Sequence, residues 1–230
     1  MSLSKLSLLG AVAAIAFSGI AAHADSLSLG SAGQSMSFTF FGNHESGAGG
    51  NYSPSSAVIS GQTVNFEAVY CVDLNHFIND DTIYNNTVFT TNGHVNGSAV
   101  NNADEIAWLV LNTTVTDPTQ AAGLQAAIWE TEYGSHFSLD FAGQSAIYND
   151  EQADLTALSD GTVTNSLISQ LDWITPPATS GKGWDDDDVV KHQGLVGLPD
   201  PPAVPEPATL SLLGTGILGL AGIVRRRLSA

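Results

Sequence analysis

Apolar and polar residues alternate one by one at two places in the first half of the chain. Met36, Phe38 and Phe40 alternate with Ser35, Ser37 and Thr39. Val64, Phe66, Ala68, Tyr70 and Val72 alternate with Asn65, Glu67, Val69, Cys71 and Asp73. A period of two is that of a strand with one buried face, so both stretches predict β-strands. The clusters Gly47 to Asn51 and Asn92-Gly93 predict turns between strands. The period then lengthens. Ile106 to Leu111 predicts a helix, with Asn102 or Asp104 available as its cap. Asp117-Pro118 opens a second helix, a capping acid followed by proline at the first helical position; it runs to about Tyr133, before Gly134. Phe137, Leu139 and Phe141 return to strand spacing, and Glu151 to Leu171 predicts one more helix. Strands and helices mix without βαβ regularity. The expected class is therefore α+β: a β-rich sandwich or barrel-like core with two or three helices.

The two ends of the chain are of another kind. Lys5 precedes an apolar run from Leu6 to Ile20, and Ala22-His23-Ala24 supplies small residues at a cleavage site. This reads as a secretory signal over residues 1–24, cut between Ala24 and Asp25. At the other end Pro205-Glu206-Pro207 is followed by the apolar, Gly-rich stretch Ala208 to Val224 and then by Arg225, Arg226 and Arg227. At about 1.5 Å per residue that stretch is somewhat short for a hydrocarbon core of roughly 30 Å. The arginines extend its reach by snorkelling, and by the positive-inside rule they keep the body on the outer side. The order Pro-Glu-Pro, apolar helix, basic cluster resembles the PEP-CTERM sorting tail of Gram-negative bacteria. The resemblance implies a C-terminal transmembrane helix that anchors the chain to the inner membrane until an exosortase-type protease processes it. Release to the cell surface or an extracellular matrix follows. The expected organisation is a signal (1–24), a body (25–175), an acidic Pro/Gly linker (176–203) and a sorting and anchor segment (204–230).

Charge narrows what the body can do. Of 23 acidic residues in the chain only Glu206 lies outside residues 25–205, and of six basic ones only Lys182 and Lys191 lie within that span. The body thus carries a net charge of about −20, with no lysine or arginine from Asp25 to Gly181. Nucleic acid, which needs a basic footprint, is excluded as a partner. Cations and amines are attracted instead. The contiguous run Asp185 to Asp188 reads as a solvated loop, because calcium loops space their carboxylates with turn residues. No metal site or cofactor is expected.

Cys71 is the only cysteine. An unpaired cysteine in an exported chain points to a reactive or protected thiol, with a buried inert thiol as the alternative. In the alternation above it falls with Asn65, Glu67 and Asp73, on the face opposite Phe66 and Tyr70. The second helix holds a candidate partner. Ala121, Gln125, Ile128 and Trp129 share one helical stripe, so Gln125 sits in the face that packs inward. A buried glutamine needs partners for its amide. Either it bonds to a neighbouring backbone, or it is consumed by a cysteine sulfur in a thioester.

Tyr70-Cys71-Val72-Asp73, the helix EIAWLVLN and the segment LQAAIWE are together similar to the thioester domains of bacterial surface proteins. The resemblance spans Val64 to Gly134. It implies that Cys71 supplies the sulfur and Gln125 the acyl carbon, that Trp129, with Ile128 and Tyr70, shields the bond from water, and that an amine-bearing surface or matrix molecule is the target. Such a site is consumed when it reacts, so no turnover enzyme is implied. Those domains tip long Gram-positive adhesins, whereas here one small body precedes a short linker and a sorting tail. His76, His94 and His136 are candidates for proton transfer, each with a plainly structural alternative. Two further readings stay open: a non-covalent surface or matrix protein, and a cysteine hydrolase using Cys71. The second lacks a basic group to activate the thiol.

Overall fold

The computed structural model describes residues 24–180 and 189–201. The signal segment, the acidic run and the sorting tail with its expected membrane helix lie outside the described residues. Among the described residues no helix is long and apolar enough to cross a membrane.

In chain order the first strands are β1 (Ser26–Leu29), β2 (Ser31–Phe40), β3 (Asn43–Ser53), β4 (Ser55–Ile59), β5 (Gln62–Cys71), β6 (Thr82–Asn85), β7 (Val88–Thr90), β8 (His94–Val95) and β9 (Ser98–Ala99). Helices α1 (Ala103–Asn112) and α2 (Pro118–Tyr133) follow, then β10 (Phe137–Leu139) and α3 (Ser145–Asp160). The chain closes with β11 (Asp172–Thr175), β12 (Thr179–Ser180), β13 (Val189–Val190) and β14 (Leu195–Pro199). Seven strands form the main sheet in the order β6-β1-β4-β5-β14-β11-β7, and β10-β2-β3 form a second sheet. Neighbours within each are antiparallel. The α+β class is the observed one.

The main sheet is buried on both faces where β5 and β14 run side by side. Val69, Cys71 and Leu195 pack into one apolar cluster with Leu27, Met36, Phe38 and Trp129. Tyr70, Val72 and Val196 pack into another with Ile106, Leu109, Ile128 and Trp173. Strands covered on both sides read as nearly continuous apolar runs, which is the character of Ala68 to Val72 and of Leu195 to Leu198.

Helix α2 divides its side chains between the two clusters: Ala122, Ala126 and Trp129 to the first, Leu124, Ala127 and Ile128 to the second. All its residues from Ala121 to Trp129 are buried. Asp117 caps it as expected, accepting from the N–H groups of Thr119 and Gln120, with Pro118 at the start. Gly123 lets α3 approach closely, since a Cβ there would stand 2.5 Å from Asp150 Cβ.

Four expectations are corrected. Gly47 to Asn51 is not a turn but part of β3, where Gly47 and Gly49 face Met36 and Gln34 across the hairpin. The third helix begins at Ser145 and ends at Asp160; Asn165–Gln170 is a separate 3-10 turn. Asn102 stands at the N-cap of α1 with φ 52° and its side chain does not cap; it donates to Thr131 O of α2 instead. Finally, residues 176–203 are not all linker, because β14 lies between β5 and β11 in the middle of the main sheet.

Candidate functional site

Strand β5 carries Cys71 at its last position, 1 % exposed. Its placement turns on a bulge. In the pairing with β14, Ala68 faces Leu198 and Phe66 faces Pro199, so Glu67 is an extra residue in β5. One inserted residue reverses which side the following side chains point to. Cys71 therefore joins Phe66 in the same buried cluster, not Asn65 and Glu67 as strict alternation predicts.

The bulged part of β5 also runs beyond the end of β4, whose last pairing is Ser55 with Phe66. Its backbone needs other partners there. Two side-chain amides supply them. Asn51 Nδ2 donates to Glu67 O (3.2 Å), and its Oδ1 accepts from Val69 N (2.9 Å). Gln125, wholly buried, repeats the pattern one step on: Oε1 accepts from Cys71 N (2.9 Å) and Nε2 donates to Cys71 O (2.7 Å). On the other side of β5, Val72 N donates to Gly194 O, which continues the ladder with β14. Of the two expectations for Gln125, the bond to a neighbouring backbone is the arrangement found.

The sulfur faces a different carboxamide. The Cys71 thiol donates to Gln193 Oε1 at 2.9 Å, and Tyr52 Oη lies 3.5 Å from the sulfur. A C=O bond is about 1.2 Å long, so the Gln193 carbonyl carbon is within about 4.1 Å of Sγ. Cross-strand register explains the encounter. Leu195 faces Cys71, so Gln193 lies two residues further along the same face of β14's approach. Gln193 N is held by Phe77 O (3.0 Å), and the residue is 8 % exposed. The adjacent Gly194 is pressed against Val95, where a Cβ would come within 2.5 Å of Cγ2.

Burial pushes the Cys71 thiol up to about 12; the Tyr52 hydrogen bond opposes this and the charge of Asp73 adds to it. Burial likewise raises Tyr52 far above the ordinary phenol range. The pair is thus a neutral thiol and a neutral phenol in an apolar wall. Of the three expected shielding residues, Trp129 belongs to the sulfur's cluster, against Phe38 and Phe137 with ring centroids 5.4 and 5.7 Å away. Tyr70 and Ile128 are buried in the other cluster, across the sheet. The histidines stand apart from the thiol's hydrogen bonds. His76 Nδ1 is 2.5 Å from Asp73 Oδ2, His94 bonds to Asn92 O, and His136 stacks on Phe41. Among the described residues no group of three or more His, Cys, Asp or Glu side chains is placed to hold a metal ion.

Residues 203–227 match the PEP-CTERM protein-sorting motif. The chain carries a PEP-CTERM tail. It is an exported protein whose membrane-associated C-terminal segment is processed by an exosortase on the way to the cell surface. The comparisons with curated proteins and with solved structures give no match.

The PEP-CTERM tail begins just after β14, so the site lies close to it in sequence. That proximity is what hides Gln193 from a reading of the sequence, since it follows the acidic run and precedes the prolines. A signal is present nonetheless: Gly194-Leu195-Val196-Gly197-Leu198 is a short apolar run of strand length. Tyr52 gave none, because it lies in a Gly/Ser/Asn-rich stretch that reads as turn.

Proposed function

We propose that this exported protein forms an internal thioester between Cys71 and Gln193 and uses it to attach covalently to a primary amine. The observation that supports this most directly is the 2.9 Å approach of a buried thiol to a buried carboxamide. The sulfur attacks the Gln193 carbonyl carbon, the C–N bond breaks, and Nε2 departs as ammonia carrying the thiol proton. An amine then attacks the same carbon, the C–S bond breaks, an amide forms, and the amine's proton restores the thiol. Gln125 is the positioning residue: by bonding both polar groups of the Cys71 backbone it fixes the direction of the sulfur. Trp129 and Tyr52 help keep water from the bond.

Each molecule reacts once, which suits a surface or matrix-attached protein of a Gram-negative cell better than a turnover enzyme. A cysteine hydrolase needs a thiolate; burial favours the thiol here, and the sulfur's hydrogen-bond partners are a phenol and an amide.

Intact mass measurement of the processed chain tests the proposal. The expected mass is one ammonia below that of the sequence, rising by one methylamine on treatment with that amine. Cys71→Ala and Gln193→Ala should each abolish both changes. A chain of plain sequence mass, unaltered by methylamine, would leave a non-covalent surface protein with an inert buried thiol.

A further inference from the structure

A cleft of about 230 Å³ opens at the end of the β5–β14 pair. Asp73, His76, Asn96, Glu132, Tyr133 and Lys191 are among the residues that line it. Its place follows from the register. Asp73 is two residues beyond Cys71 and Lys191 two before Gln193, and the two strands run antiparallel with Leu195 facing Cys71. The same register sets Gln193 level with Asp73, so at about 3.4 Å per residue the cleft begins about 7 Å along β5 from Cys71 and at the level of Gln193.

Its chemistry is that of a cation site with one partner missing. Asp73 is nearly buried and its carboxylate is held in place by three donors: Asn75 N (2.9 Å), Asn96 Nδ2 (2.8 Å) and His76 Nδ1 (2.5 Å). Glu132, at the C-terminal end of α2, is different. Its Oε2 is buried and has no hydrogen-bond partner. Burial, with the charge of Asp73 adding to it, pushes its carboxyl up to about 9. A buried carboxyl oxygen left unpaired, on a half-buried side chain lining the same cleft as a buried carboxylate, is what an incoming ammonium group would satisfy. Lys191, the one Lys or Arg among the described residues, is exposed at this cleft. Elsewhere the described body offers no lysine that would compete for the reactive carbonyl.

We propose that this cleft is a docking site for a primary ammonium group, borne by a protein lysine or by a free polyamine, with Glu132 and Asp73 receiving its charge. The inference rests on the thioester reading for its purpose, since the docked amine lies at the approach to Gln193. Its binding chemistry stands alone. When the ammonium arrives, Glu132 releases its own proton to solvent and pairs as a carboxylate. It then accepts a proton from the ammonium, which frees a neutral amine to attack.

Two measurements on the full chain in detergent micelles test it separately. In Cys71→Ala, which forms no thioester, cadaverine is titrated while amide resonances are followed by NMR. Saturable shifts are expected at Asn96, Glu132 and Tyr133, and 1,5-pentanediol should give none. Glu132→Gln, a neutral isostere of the protonated side chain and therefore able to fold, should weaken cadaverine binding about tenfold, the loss of one charge-assisted bond. Shifts scattered over surface acids, or equal binding by Glu132→Gln, would overturn the site. In the wild-type chain the rate of adduct formation is compared for cadaverine, Nα-acetyl-lysinamide and hydroxylamine, which is uncharged at neutral pH. Glu132→Gln should slow the first two about tenfold and leave hydroxylamine unchanged. A faster reaction with the lysine amide than with cadaverine assigns the cleft to protein targets, and the reverse to polyamines. If hydroxylamine leaves the wild-type mass unaltered, the thioester reading fails while the titration still decides the cleft.

Discussion

Removing Gln125 and removing Gln193 should have opposite consequences. Gln125→Ala leaves the N–H and C=O of Cys71 without their bonds at the edge of β5, both sealed beneath α2. Each buried backbone group left unsatisfied costs about 1–3 kcal/mol, so the loss is about 2–6 kcal/mol before any cavity is counted. In a domain of this size that lowers Tm by roughly 5–20 °C. Gln193→Ala deletes a single thiol acceptor at the start of β14 and leaves the strand pairing intact, for a loss of about 1 kcal/mol. Both are best measured by circular dichroism in a Cys71→Ser background, where the hydroxyl keeps a donor for Gln193 and no thioester contributes. Intact mass of the same two variants with Cys71 present gives the second axis. Gln125→Ala, held well below its melting point, should still lose ammonia, though more slowly; Gln193→Ala should not lose it. The reasoning is refuted if Gln125→Ala melts like its parent and also abolishes ammonia loss, for then Gln125 is the acyl donor and not the support.

The crosslink itself should be visible as stability. It closes a separation of 122 residues, and by the loop-entropy argument used for disulfides this is worth about 5 kcal/mol. Methylamine treatment should therefore lower Tm by roughly 10–20 °C as the adduct forms, and a mass change without a thermal shift would contradict it. A separate prediction concerns Glu151 in α3, 1 % exposed, whose carboxyl is pushed up to about 8 by burial and by the neighbouring charge of Glu130. The folded state holds its proton more tightly than the unfolded chain. Stability should then be full below about pH 4.5, fall as pH rises through about 8, and level off above. Glu151→Gln should flatten that fall in urea titrations across this range. An unchanged slope would show that Glu151 ionises freely.

How much of this was legible beforehand varied with the range of the interaction. Local signals read truly. Asp117-Pro118 announces α2 because capping is settled within three residues, and the period of two over Met36 to Phe40 marks β2. What failed depended on neighbours far along the chain. The bulge at Glu67 exists because β14 pairs with β5 across more than a hundred residues, and nothing near Glu67 announces it. Gly47 and Gly49 look like turn residues, yet both lie in β3, and the terminal methyl of Met36 occupies the space where a Cβ of residue 49 would stand, 2.1 Å away. The burial of Gln125 was readable from helical spacing; its occupation with the backbone, and not the sulfur, of Cys71 was not. Gln193 is hidden because the acidic and proline-rich composition on either side of it masks the short apolar run that follows.

The position of β14 bears on how the body would withstand pulling. Only Asp200, Pro201 and Pro202 separate its last residue from the motif through which the chain is tethered during sorting. Any tension on that tether is delivered directly to a strand clamped between β5 and β11, which resist it through two ladders of bonds sheared in parallel. With Gln193 carried from Cys71 to a target amine, a load between that target and the tether would pass through residues 193–202 alone, and the rest of the body would carry almost none of it.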